Sequence, residues 1–66
     1  MMLKEWLFRN DMKASSFARE LGITPSYFFL VKNRKIIPGL QLAKQIELIT
    51  GGQVTAIELR EEKSHG

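Results

Sequence analysis

Residues Ala14 to Asn33 read ASSFARELGITPSYFFLVKN, and the fold turns on how that stretch is parsed. Phe17, Ala18 and Leu21 recur at the spacing of one face of an α-helix, while Ser15, Ser16, Arg19 and Glu20 fall on the other side. This predicts a helix from about Ala14 to Leu21. Gly22 ends it, because glycine enters the left-handed region of backbone space without the steric penalty that a Cβ brings. Thr24-Pro25 then marks a new start: the threonine hydroxyl is an N-cap, and proline suits the first helical position, where its missing N–H costs nothing. A second helix is expected from Pro25 to Lys32 or Asn33, with Phe28 and Val31 facing inward. The pair is joined by the short turn Gly22-Ile23-Thr24.

Upstream, Leu3, Trp6 and Leu7 recur at helical spacing with Lys4, Glu5 and Arg9 opposite, and Asn10-Asp11 is the stop. Trp6 reads as core, since a large aromatic on an amphipathic face usually packs. Downstream, Arg34 to Pro38 is a loop and Gly39 a poor N-cap. A fourth helix follows, with Leu40, Ala43, Ile46, Leu48 and Ile49 supplying its apolar faces and Gly51-Gly52 ending it. Thr55-Ala56-Ile57-Glu58 matches a capping box, in which the threonine hydroxyl accepts from the third helical N–H and the glutamate reaches back. A short fifth helix from Ala56, fraying before Ser64, is expected. The chain has no strand-period alternation, internal repeat or low-complexity segment. The fold class predicted is all-α, a compact bundle of five short helices forming one domain over residues 1–60, with residues 61–66 a polar, disordered tail.

The chain has 66 residues, no cysteine, and one histidine, His65, beside the terminal Gly66. A disulfide framework is thereby excluded and a structural metal is not expected. Stability must come from helix packing; 44% hydrophobic residues suffices for that with little margin. The formal charge of +3 understates an asymmetry: residues 1–57 carry eight basic and four acidic side chains, while Glu58, Glu61 and Glu62 lie in the last nine residues. A basic surplus favours a polyanionic partner. No apolar run approaches membrane-spanning length, the run Tyr27 to Val31 being five residues, and the N-terminal residues lack a signal-peptide pattern. A cytoplasmic protein, in a bacterial cell or phage-infected host, is expected. No nucleophile and base pair or carboxylate pair is apparent, and so small a chain leaves no room for a deep pocket. Catalytic residues, cofactors and a small-molecule substrate are therefore not expected.

Counted from Ala14, the stretch resembles the twenty-residue helix-turn-helix signature of the Cro and phage-repressor family. The small residue is Ala18, the turn glycine is Gly22, and the apolar positions are Phe17, Leu21, Ile23, Phe28 and Val31. Ala18 must be small because a crossing helix would be pushed away by a larger side chain. Leu40 to Glu47 and Thr50 to Thr55 look like the rear helices of small Cro-like and YdaS-like prophage regulators, so the likeness covers roughly residues 12–59. It implies a lambda-repressor-like DNA-binding fold and a transcriptional regulator, typically a repressor, acting as a homodimer on double-stranded DNA.

The docking implied by that family sets the N-terminal part of the second helix of the pair in the major groove. Ser26 occupies a base-contact position, with Tyr27, Phe29, Leu30 and Asn33 also outward and Thr24 and Pro25 at the tip. Thr24 and Tyr27 can bond phosphate through their hydroxyls; Lys32, Asn33, Arg34 and Lys35 form a basic edge where the family meets the backbone. Lys13, Ser15 and Ser16 are placed at the opposite phosphate rim, where the serines are equally readable as helix caps. The pattern departs from the family at Ala14, where glutamine is frequent, at Lys13, where a hydroxyl cap is usual, and at Phe29 and Leu30, where polar readers are expected. Three accounts of Phe29 and Leu30 stand open: contact with thymine methyls, burial against the fourth helix or a partner subunit, or a protein-binding surface. The last defines the rival function, a protein-interaction module. Val54, Ile57 and Leu59 of the fifth helix are the expected dimer surface.

Overall fold

The periodicities set out above generate five helices in the computed structural model, which describes residues 1–61. They are α1 (Leu3–Arg9), α2 (Ala14–Leu21), α3 (Pro25–Lys32), α4 (Leu40–Ile49) and α5 (Ala56–Arg60), with no strand among the described residues. The expected tail lies outside the described residues apart from Glu61. No described helix is long and apolar enough to cross a membrane.

Three aromatic rings organise the core. Phe17 of α2 lies edge-on to Trp6 of α1, with centroids 5.7 Å apart, and stacks on Phe28 of α3 at 5.2 Å. Phe17 and Phe28 are wholly buried. Each such pair adds about 0.5–1.5 kcal/mol beyond area burial. Leu3, Leu7, Ala18, Leu21, Val31, Ile46 and Val54 complete one contiguous cluster. Helix α2 packs against both α3 and α4, and α4 carries α5. The radius of gyration, 10.9 Å, is that of a fully compacted chain of this length, about 11 Å.

Helices α1 to α4 end in the same way. Each is followed by a residue at positive φ: Asp11 at 50°, Gly22 at 76°, Arg34 at 60° and Gly51 at 65°. The next N–H reaches back to a carbonyl in the last turn: Met12 to Leu7, Ile23 to Ala18, Lys35 to Leu30 and Gly52 to Glu47, at 2.8–3.0 Å. This satisfies carbonyls that a helix end would otherwise leave open and turns the chain sharply. A Cβ built on Gly22 would meet no atom within 4 Å, so the glycine is demanded by its backbone conformation and not by crowding.

Two expectations about α4 and α5 need correction. Only Ala43 and Ile46 of α4 are buried, flanked by half-buried Leu42 and Ile49; Leu48 is 81% exposed and Leu40 51%. A helix of this length offers one buried stripe, and Leu48 lies on the side opposite Ala43 and Ile46. The capping box at Thr55 forms by half. Thr55 Oγ1 accepts from the Glu58 N–H at 3.1 Å, but Glu58 bonds the Met1 amino group, also at 3.1 Å. The Ala56 N–H donates instead to Glu47 Oε1 of α4 at 2.8 Å. A tertiary carboxylate thus satisfies a different open donor of the first turn, while Glu58 does not reach back to the Thr55 N–H. Beside it, the buried Thr50 hydroxyl donates to the Ile46 carbonyl at 2.9 Å and accepts from the Val54 N–H at 3.1 Å, tying the end of α4 to the segment that enters α5.

Candidate nucleic-acid interface

Helix α3 begins where local chemistry dictates. Thr24 Oγ1 accepts from the Tyr27 N–H at 3.1 Å and Pro25 follows in the first turn. That bond uses a lone pair of the hydroxyl and leaves its hydrogen free to donate. From this start the eight residues divide sharply. Phe28 and Val31 are buried, while Pro25, Ser26, Tyr27, Phe29 and Leu30 are exposed. At 100° per residue, Ser26 points directly away from the core, with Phe29 and Leu30 on either side of it. Of the five residues expected to face outward, Ser26, Tyr27, Phe29 and Leu30 are exposed and Asn33, at the C-cap, is half-buried.

The positions that set α3 on α2 also behave as their residue types require. Phe17, Ala18, Leu21, Phe28 and Val31 are buried, Ile23 is half-buried against the same core, and Gly22 is left-handed. Alanine at the fully buried position 18 leaves only a methyl group between the packed helices.

Past α3 the cations gather. Lys32 is half-buried, its ammonium 5.5 Å from the centre of the Phe29 ring, a contact worth about 0.5–1 kcal/mol at an exposed site. Arg34 and Lys35 are exposed. Among the described residues the ion pairs are Glu5 with Arg9 and the Met1 amino group with Glu58, and none involves Lys32, Arg34 or Lys35; Glu61 shares a shallow hollow with Arg34. The segment from Leu21 to Ile46 contains no acidic residue. Asn33, by contrast, spends one amide hydrogen on its own helix, donating through Nδ2 to the Phe29 carbonyl at 3.0 Å. Its capacity to read a ligand is reduced accordingly.

On α2, Ser15 and Ser16 are exposed, and neither caps the helix: the N-cap is Lys13, which makes no side-chain capping bond. Glu20 lies one turn beyond Ser16, so that rim carries a carboxylate as well as hydroxyls. Phe29 is 53% exposed and Leu30 38%, which excludes burial of the pair against α4 within the chain. The expected dimer surface is also revised: Val54 is wholly buried and Leu59 half-buried against the core, leaving Ile57, 82% exposed, as its one open member. A short helix docked on α4 had to bury its own entry residue to be held at all. The feature that sequence reasoning passed over is Phe8, 87% exposed on the outer side of α1. It breaks the spacing of Leu3, Trp6 and Leu7, and that break was the available signal.

Arg34 adopts a left-handed conformation that costs an ordinary L-residue about 1–2 kcal/mol. Arg34→Gly should therefore stabilise the fold by about 0.5–1 kcal/mol, after allowing for the greater freedom of glycine in the unfolded chain. Urea denaturation would check this, the midpoint moving up with an unchanged slope.

No protein-family model, curated protein or solved structure matches the chain. Among the described residues no group of His, Cys, Asp and Glu is placed to hold a metal ion.

Proposed function

We propose that this protein is a sequence-specific DNA-binding transcriptional regulator, with α2 and α3 acting as a helix-turn-helix and α3 entering the major groove. The observation that carries the reading is the outward face of α3: accessible from Thr24 to Leu30, free of carboxylates, and continuous with Lys32, Arg34 and Lys35. Ser26, at the centre of that face, contacts a base edge; its hydroxyl donates or accepts, so its discrimination is weak. Thr24 and Tyr27 offer hydroxyls to phosphate, and the cations of the α3 edge supply most of the affinity. Ser15, Ser16 and Lys13 meet phosphate on the other rim. Two copies on a palindromic site would set their α3 helices about 34 Å apart, in successive major grooves.

Selection of bound sites from a random duplex pool tests this directly. The expected product is a half-site repeated at one helical turn; failure to enrich any sequence would remove the proposal.

Phe29 and Leu30 take the role of apolar readers. With no Arg or Gln on the outward face of α3, and with the Asn33 amide bonded back to the Phe29 carbonyl, thymine methyl groups are the base feature these two side chains can recognise. Replacing the thymines of a selected site with uracil should weaken binding by about 1 kcal/mol or more for each methyl contacted, as read by fluorescence anisotropy. Equal affinity for the uracil duplex would free Phe29 and Leu30 for the second reading, a protein-interaction module, which their exposure also supports.

A further inference from the structure

We propose that the groove between α1 and the C-terminal end of α3 docks an acidic protein segment carrying a large apolar side chain, and that its occupant competes with DNA, the competition resting on the function proposed above. The groove, of about 420 Å³, is lined by Met2, Lys4, Glu5, Phe8, Lys32 and Arg34, with Asn33 at its end. A second hollow of about 390 Å³ continues it toward Lys13, sharing Lys4, Phe8 and Lys32. Phe8 therefore stands between two open depressions, 87% exposed, with lysines and an arginine around it.

Charge and apolarity together select the occupant. Lys4, Lys13, Lys32 and Arg34 have no ion-pair partner among the described residues. Of the two acids in the linings, Glu5 is already bound by Arg9 at 2.9 Å, leaving Asp11 as the opposing charge. The surface is thus cationic and asks for carboxylates or phosphates. A phenyl ring with Met2 beside it asks for an apolar neighbour, which a duplex phosphate backbone cannot supply. A segment alternating acidic and apolar side chains satisfies both, its aromatic or leucine anchor lying on Phe8 while its carboxylates bond the surrounding cations. Lys32 and Arg34 belong both to this groove and to the edge assigned to phosphate, so one ligand must displace the other.

The test is an NMR titration of the ¹⁵N-labelled full chain with a short synthetic peptide of aspartate and glutamate bearing leucine and phenylalanine at i, i+3 and i+4. Amide shifts are expected at Phe8, Lys32, Asn33 and Arg34. Phe8→Ser should leave the fold intact, since the ring is largely exposed, and weaken peptide binding about tenfold or more, the loss typical of an aromatic anchor. Its affinity for a selected duplex should be unchanged, and the peptide should release that duplex from the unmutated chain. Shifts confined to α4 and α5, or a Phe8→Ser chain that binds the peptide as before, would overturn the docking site. So would equal binding of a control peptide with serine in place of its apolar residues. Oligothymidylate bound with the same dependence on Phe8 would reassign the groove to single-stranded nucleic acid, and self-association abolished by Phe8→Ser would reassign it to a second copy; either overturns the proposal. If no duplex can be selected, the proposed function and the competition fall while the peptide shifts still decide the groove; if duplex binds and the peptide shifts nothing, the groove alone falls.

Discussion

Phe17→Ala should leave the chain largely unfolded at room temperature. Phe17 is wholly buried, meets Trp6 edge-on at 5.7 Å and stacks on Phe28 at 5.2 Å, so its ring joins α1, α2 and α3. Truncation of a buried phenylalanine costs about 3–5 kcal/mol, from lost transfer free energy and the cavity left behind. A single core in a chain below about 70 residues rarely supplies more than about 3–5 kcal/mol of net stability. The two quantities are equal in size, so the loss removes the whole margin. Far-ultraviolet circular dichroism should show helicity lost at a temperature where the unmutated chain is folded. Phe29→Ala is the matched control. That ring is 53% exposed, and its removal, which also takes away the Lys32 contact, should cost about 1 kcal/mol or less. A cooperative transition for Phe17→Ala near that of the unmutated chain would mean that the aromatic triad is not what holds the bundle together.

The second large effect is expected in binding. Lys32, Arg34 and Lys35 are cations without ion-pair partners among the described residues, and two copies of this edge on one operator would neutralise about six phosphates. The logarithm of the affinity should then fall with the logarithm of salt concentration at a slope of about −5, a loss of about a thousandfold between 50 and 200 mM. Lys35→Ala should reduce the slope by about one for each protomer and weaken binding evenly across sequences, because a phosphate contact positions the protein without reading bases. Arg34→Gly would combine a stabler fold with weaker binding, which separates the two roles of that residue. A slope near zero with the selected duplex would leave the cation edge without a function in DNA binding.

Much of the local structure was legible because it follows from spacing and stereochemistry. Thr24-Pro25 could only start a helix efficiently, Gly22 could only end one cheaply, and Phe17, Ala18, Leu21, Phe28 and Val31 fall on single stripes. The capping box at Thr55 shows where that legibility stops. Its hydroxyl half depends on residues three apart and forms, while its carboxylate half is lost because Glu58 bonds the Met1 amino group, which is distant in sequence. The exposure of Leu48 is a similar case, since its residue type suggested burial and only the docking of α4 decided which stripe faced inward.

By itself the sequence determined the five helices, the Gly22 turn, the Thr24 cap and the inward and outward stripes of α2 and α3, because each is governed by interactions within a turn or two of chain. The tertiary structure decided which apolar residues of α4 and α5 stay exposed, that Phe29 and Leu30 find no cover within the chain, and that Phe8 stands beside Lys32 and Arg34 in an open groove. Those outcomes depend on how helices dock, and docking is set by the sum of all contacts across a shared core, which no local pattern contains.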